Sequence, residues 1–241
     1  MQKSTIFSIS IILGSLFHVI SIPQTLSLFG NEQPNTSLAE PYPITTHPES
    51  DLMPALSPDG KWIAYVSRAN KNYDIWVKPR PSFTNNSKES RGGLATPLTT
   101  HSSDDFSPAW SPDGKRLAFI SRRDDAEGDL YLLDLKYGGG TITPGKTRLL
   151  KHNLDREAHP AFSPDGEKIA FSLGPSGREQ IWFYEIKTQR KYQLTKNGGS
   201  QPAWSPDGKQ LAITCPTSNA GGNQLFLISA DTAEADLHRL Q

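Results

Sequence analysis

Pro54-Ala-Leu-Ser-Pro-Asp-Gly60 returns three times along the chain, as Pro108-Ala-Trp-Ser-Pro-Asp-Gly114, Pro160-Ala-Phe-Ser-Pro-Asp-Gly166 and Pro202-Ala-Trp-Ser-Pro-Asp-Gly208. Six of the seven positions are the same in all four copies. Each copy is followed by a polar pair and then a run of apolar, β-prone residues: Trp62 to Val66, Leu117 to Ile120, Ile169 to Phe171 and Leu211 to Ile213. A second run follows at Asp74 to Val77, Asp129 to Leu133, Gln180 to Tyr184 and Gln224 to Ile228. A short closing element ends each unit, at Pro97 to Thr100, Arg148 to Leu150, Gln193 to Thr195 and His238 to Leu240. Four strands per unit at such a period describe a propeller blade. The reading is therefore an all-β propeller with four recognisable four-stranded blades, in units of about 54–100, 108–150, 160–195 and 202–240.

The chemistry of the shared tetrad agrees. Proline presets φ for the second position of a turn, aspartate suits the third, and glycine accepts the left-handed conformation that closes a hairpin. Ser57, Pro58, Asp59 and Gly60 are read as such a turn, as are Ser111, Pro112, Asp113 and Gly114, then Ser163, Pro164, Asp165 and Gly166, then Ser205, Pro206, Asp207 and Gly208. The four aspartates are turn formers in this reading, because a calcium loop needs more carboxylates. The strand aromatics Trp62, Tyr65, Trp76, Phe119, Phe171 and Trp182 belong to packing between blades, since stacked sheets bury both faces.

The tetrad serines stand 54, 52 and 42 residues apart. A plain blade needs about 40 to 45. The excess falls between the third and fourth strands, at Lys78 to Ala95 and Lys136 to Lys146, and predicts loop insertions on the face that carries the tetrads. The loops between second and third strands, and the links between blades, emerge on the opposite face.

Composition narrows the functional classes. The 241 residues hold 25 Lys and Arg against 25 Asp and Glu, so no basic surface is expected for nucleic acid. One cysteine, Cys215, permits no internal disulfide, and no Cys/His cluster has structural zinc spacing. Ile6 to Ile20 is an apolar run behind Lys3, short for a membrane span and suited to a signal peptide, with an uncleaved anchor or a buried helix as alternatives. Residues 1–27 are thus assigned to a signal peptide and 28–42 to a linker, leaving 43–241 for the propeller, with no membrane span after cleavage. Export without disulfides suits a bacterial periplasm, or secretion, better than a disulfide-stapled scaffold.

No Gly-x-Ser-x-Gly, HExxH, phosphate loop or dinucleotide fingerprint occurs, so no catalytic residue, metal or cofactor is assigned. The candidate binding surface is the face of the inter-blade links. Asp51, Asp105 and Glu157 each stand three positions before the repeat's proline, and His47 and His101 stand seven before it. Arg68, Arg122, Arg123 and Arg178 lie on loops of that face within reach of the carboxylates. The set reads either as salt bridges between blades or as a site for a partner, with a metal at the channel mouth a weaker alternative.

With those motifs in place, the chain resembles the TolB-type β-propellers over residues 43–241, and more distantly the propeller that precedes prolyl-oligopeptidase-type serine hydrolases. The resemblance implies an exported, non-enzymatic propeller that binds a protein in the periplasm or cell envelope. The short stretch ahead of the first repeat leads us to expect that the N-terminal α/β domain of TolB itself is lacking. The alternative is the propeller of a dipeptidyl-peptidase-like hydrolase whose catalytic domain lies beyond Gln241. Tyr42 to His47 also matches Thr96 to His101, which gives one strand more than four blades need. An incomplete ring, truncated at Gln241, is expected, with self-association through open blade edges as the other solution.

Overall fold

The computed structural model describes residues 43–46, 48–81, 93–151, 155–216 and 222–231. The expected signal peptide and linker, His47, and the expected closing strand His238 to Leu240 lie outside the described residues. All regular structure described is β. The first sheet holds β1 (Asp51–Leu56), β2 (Trp62–Ser67), β3 (Asp74–Pro79) and β4 (Thr96–Pro97). The second holds β5 (Asp105–Trp110), β6 (Arg116–Ser121), β7 (Asp129–Gly138) and β8 (Thr141–Lys151). The third holds β9 (Glu157–Phe162), β10 (Lys168–Leu173), β11 (Gln180–Glu185) and β12 (Lys191–Gln193), and the fourth β13 (Ser200–Trp204), β14 (Gln210–Pro216) and β15 (Asn223–Ser229). Strands run up and down in chain order within each sheet. The first strands β1, β5, β9 and β13 neighbour one another in turn, which places them innermost, as in a propeller.

Each tetrad is the β-turn that its residues encode. The serine Oγ donates to the aspartate Oδ1 at 2.5 to 2.6 Å in all four copies. The same Oγ accepts the N–H of the residue five positions on, and Oδ1 accepts the N–H two positions on. The glycines take φ from +67° to +72°, where a side chain is strained. The turns also stack. A Cβ added at Gly114, Gly166 or Gly208 would lie 4.0, 3.5 or 3.6 Å from Pro58, Pro112 or Pro164 of the preceding turn.

Between blades, a small-residue face meets a large-residue face. On blade 1 the row Ala55, Ala64 and Val77 packs against Trp110, Leu117 and Leu133 of blade 2. Ala109, Ala118 and Leu132 then meet Phe162, Ile169 and Tyr184, and Ala170 and Phe183 meet Trp204, Leu211 and Ile228. The expected core aromatics Tyr65, Phe119 and Phe171 are buried, while Trp62, Trp76 and Trp182 are half-buried at the edges. A buried Phe119 or Phe171 contributes about 1.5–3 kcal/mol relative to exposure, which makes these junctions the main stabilising contacts.

One insertion differs from expectation. Residues Lys136 to Lys146 are not a loop but the extension of a hairpin, β7 pairing β8 out to Gly138 and Thr141. Gly139 and Gly140, at φ +58° and +74°, supply the two-residue turn whose twist matches antiparallel strands. The arm lies on the tetrad face, where the Tyr137 hydroxyl donates to the Gly114 carbonyl at 2.6 Å. Much of the other insertion, residues 82–92, is outside the described residues.

Candidate functional site

The carboxylates predicted for the link face open three of the four inner strands. Asp51, Asp105 and Glu157 are the first residues of β1, β5 and β9. Asp105 is fully buried, and Arg123 Nη2 donates to both of its oxygens at 3.2 and 3.1 Å. Arg123 is further fixed by Nε donating to Ser121 Oγ at 2.7 Å and by its guanidinium lying 4.7 Å from the Tyr131 ring centre. The Tyr131 hydroxyl in turn bonds Asp124. Asp74 of blade 1 also feels this pair: burial pushes its carboxyl up, Asp105 adds to the shift, and bonds from Thr99 and Asn70 together with Arg123 oppose it.

Glu157 is a joint between blades. Its Oε2 accepts the Leu130 N–H of blade 2 at 2.5 Å, and Lys191 Nζ lies 3.8 Å from its Oε1. The equivalent amides of Ile75 and Ile181 are satisfied by the closing-strand threonines Thr99 and Thr195 at 2.9 Å. Blade 2 has Lys151 at that position, and the next blade's glutamate takes over the role.

The other predicted residues face solvent or lie at its edge. Arg122 is exposed, 3.7 Å from Asp104 rather than paired with Asp105, and its guanidinium stands 5.2 Å from the Phe106 ring centre. Arg68 is exposed and donates to the Lys71 carbonyl at 3.2 Å. His101 is exposed, its Nδ1 accepting the Ser103 N–H at 3.1 Å and its carbonyl accepting Asn72 Nδ2 at 2.8 Å. Arg178 is exposed and Asp51 half-buried. The fold thus brings Asp105 and Arg123 together and spreads Arg68, Arg122 and Arg178 over the loops of successive blades.

A second set escaped the sequence reading. Met53, Ser107, His159 and Gln201, each immediately before a repeat proline, have φ of +51°, +53°, +52° and +54°. A β-bulge falls at this point in every blade. At the bulge Ser107 Oγ lies 3.6 Å from Met53 Sδ, while the His159 side-chain Nδ1 and the Gln201 backbone N–H both approach Ser172 Oγ, at 3.4 and 3.1 Å. Left-handed backbone at residues other than glycine costs about 1–3 kcal/mol each and collects at ligand-contacting positions. The signal was present in the sequence. The position before proline changes from Met to Ser to His to Gln beside a frame that stays constant.

Met53, Ser107 and His159 border a cavity of about 220 Å³ between blades 2 and 3, together with Arg122, Arg156 and Glu127. Arg156 is held by Glu179 at 3.1 Å. Burial, with Arg156 adding to it, pushes the His159 pKa down, so the imidazole is neutral at pH 7. The cavity offers guanidinium donors, a carboxylate, a hydroxyl, a neutral imidazole and a thioether. Such a mixture suits polar recognition of main-chain and charged groups. Ser172, beside His159, is fully buried and bonded to Ser200 Oγ and the Gln201 N–H, so its hydroxyl is not presented to the cavity. Burial also pushes the Cys215 thiol up, away from thiolate. Among the described residues no three His, Cys, Asp or Glu side chains converge as a metal site.

This geometry defines a repeat propeller with a polar face at its inter-blade links, and comparison with known proteins places it more closely. No family model matches the chain. It is 32% identical over 143 residues to the uncharacterized peptidase YuxL of Bacillus subtilis, covering 58% of this chain and 20% of that protein. It is 30% identical over 147 residues to a TolB homolog of Protochlamydia amoebophila, covering 61% of this chain and 30% of that protein. The crystal structure of TolB from Acinetobacter baumannii superposes with a TM-score of 0.61 at 21% identity, over 78% of this chain and 43% of that one. The chain is a TolB-like β-propeller, and it spans less than a third of the length of these two sequence relatives.

Proposed function

We propose that the chain acts as an exported, non-enzymatic interaction module of the bacterial periplasm or cell envelope, binding a protein partner on the link face. The observation that carries this reading is the inner-strand set Met53, Ser107, His159 and Gln201, strained in the same way in every blade and different in chemistry in each. Exposed Arg122 and the half-exposed Arg156 border the same cavity and supply charge at its rim. Likeness to TolB supports the reading. Arg68, His101 and Arg178 extend the surface, with His47 and Asp51 beside it on the sequence reading. Asp105, Arg123 and Glu157 hold the surface in shape from beneath. In capture experiments with envelope extract, the Arg122→Ala, Arg156→Ala double variant loses its partner, whereas Lys115→Ala on the tetrad face retains it. Equal capture by both removes this face from consideration.

A second reading rests on the likeness to a peptidase. There the propeller would stand ahead of a hydrolase domain and filter access to it. The coding sequence past the codon for Gln241 decides this: a Gly-x-Ser-x-Gly nucleophile elbow supports the hydrolase, and its absence leaves the binding module.

A further inference from the structure

The three junctions follow one plan, and the junction between blades 2 and 3 departs from it at two positions. Tyr184 of β11 pairs with Ile169, in the place taken by Leu133 opposite Leu117 in blade 2 and by Ile228 opposite Leu211 in blade 4. Arg148 of β8 pairs with Leu132, in the place taken by Thr96 opposite Val77 and by Tyr192 opposite Phe183. Those two counterparts are engaged within the fold: Thr96 Oγ1 lies 3.2 Å from Thr141 Oγ1, and the Tyr192 ring stands edge-on to Phe183 with 5.6 Å between ring centres. Arg148 and Tyr184 instead border a cavity of about 370 Å³ between the outer strands of the two blades. Lys146, two positions before Arg148, and Gln189, in the turn joining β11 to β12, complete its polar lining, while Leu150 and Ile186 give it an apolar wall.

The backbone fixes both sides of this cavity. On β8 the register shifts so that Gly145 and Lys146 together stand opposite Asp134, and a Cβ at Gly145 would lie 2.8 Å from the Asp134 carbonyl oxygen. On blade 3 the turn is held by Thr188 Oγ1 donating to Glu185 Oε2 at 2.7 Å and by the Ile186 N–H donating to the Glu167 carbonyl at 2.9 Å. Gln189 keeps a side chain at φ +58°, where glycine is the relaxed choice.

Tyr184 is the residue that points to a ligand. It is 4% exposed, and among the described residues its hydroxyl makes no hydrogen bond. A buried hydroxyl is expected to have a partner. Burial pushes the phenol up while Arg148 opposes the shift, so the group is a proton donor at neutral pH. Arg148 reaches Asp134 only at 4.0 Å and is 41% exposed, which leaves guanidinium donors available, and Lys146 is exposed. Among the described residues no carboxylate lines the cavity. Guanidinium, ammonium and phenol are all donors, which calls for a ligand group that only accepts.

We propose that this cavity binds the phosphate group of a small phosphorylated compound, with Arg148 and Lys146 facing the dianion, the Tyr184 hydroxyl donating to it, and Gln189, Leu150 and Ile186 against the organic body. Two cations match a phosphate monoester, which carries about two negative charges. The planar guanidinium adds paired donors that a single ammonium lacks. The volume falls in the range of small-molecule sites and leaves room beyond a bare phosphate. The site lies on outer strands near the tetrad face, so it is independent of the link face and of partner capture there.

The test is isothermal titration calorimetry of the full chain with glucose 1-phosphate at low salt, with inorganic phosphate and glucuronate as comparison ligands. Saturable binding of glucose 1-phosphate is expected, at least about tenfold tighter than that of either comparison ligand. Arg148→Gln is expected to weaken it at least about tenfold and Tyr184→Phe about fivefold, the latter through loss of one hydroxyl from an otherwise unchanged ring. Lys115→Gln, outside the cavity, leaves binding unchanged, and far-UV circular dichroism of all three variants matches the parent. Absence of saturable binding by glucose 1-phosphate overturns the proposal, as does an affinity that Arg148→Gln leaves unchanged. Glucuronate binding as tightly would overturn the choice of phosphate, and inorganic phosphate binding as tightly would overturn the organic body.

Discussion

The indole N–H of Trp110 in blade 2 donates to the carbonyl of Ala55 in blade 1 at 3.0 Å, and Trp204 in blade 4 does the same to Ala161 in blade 3, also at 3.0 Å. In blades 2 and 4 the variable position of the repeat thus fastens the blade to the one before it, both by filling a shallow alanine row and by a directed bond. Blade 3 carries Phe162 there and packs without the bond. Trp110→Phe is therefore expected to cost about 1 kcal/mol, the net worth of one hydrogen bond. Trp110→Ala also leaves a cavity and is expected to cost about 3–5 kcal/mol. Urea unfolding of the three proteins side by side checks the ranking.

Arg122 and Arg123 are adjacent in sequence and opposite in consequence. Arg123→Ala strands a fully buried Asp105 and is expected to cost about 3–5 kcal/mol. Arg122→Ala loosens an exposed contact at 3.7 Å and is expected to cost less than about 1 kcal/mol. Chemical denaturation separates them, and only the second variant is suited to probing partner binding.

The tetrad aspartates make stability depend on acid. For Asp59, Asp165 and Asp207 the serine hydrogen bond is the largest influence and holds the carboxyl below its ordinary value of 3.8; at Asp113 burial opposes the shift and the bonds from Ser111 and Lys115 outweigh it. A depressed folded-state pKa gives stability that is present above 3.8 and lost as pH falls through the lower folded values. The urea midpoint should therefore fall between about pH 5 and pH 2. Asp113→Asn should flatten part of that fall. Asp74 has the opposite sign, since its raised carboxyl withdraws stability as pH rises, and Asp74→Asn is expected to stabilise the protein at pH 7.

Strain at the inner strands predicts a trade between stability and binding. Ser107→Gly or Gln201→Gly removes a side chain from a φ near +53° and is expected to stabilise the fold by about 1 kcal/mol. The same changes are expected to weaken partner capture. Thermal melts and capture yields on the same preparations test both halves.

Fold and turns were legible because the physics is local and repeated four times. Ser, Pro, Asp and Gly at Ser57 to Gly60 have few other uses in that order, and the alternation of Ala118 with Phe119 already separates a small face from a large one. The arm at Lys136 to Lys146 was misread because Gly138, Gly139 and Gly140 look like a loop, whereas two of them make a tight turn and the flanking Tyr137 and Ile142 stay paired. Of the link-face residues, reach between Arg123 and Asp105 was legible, whereas their pairing within one blade instead of between blades, and its burial, were not. Asp105 and Glu157 open strands whose ends are covered by the neighbouring blade, and burial of that kind depends on long-range packing. The left-handed set was missed because backbone sign at Met53, Ser107, His159 and Gln201 comes from a bulge across the sheet, and no residue type there announces it.

The account rests most heavily on the link face as the binding surface. A photoreactive amino acid placed at position 122, and in a separate protein at position 115 on the tetrad face, reports directly on what touches each surface in the bacterial envelope. The expected result is an adduct with a second, different protein at 122 and none at 115. An adduct at 115 with none at 122 would contradict the account.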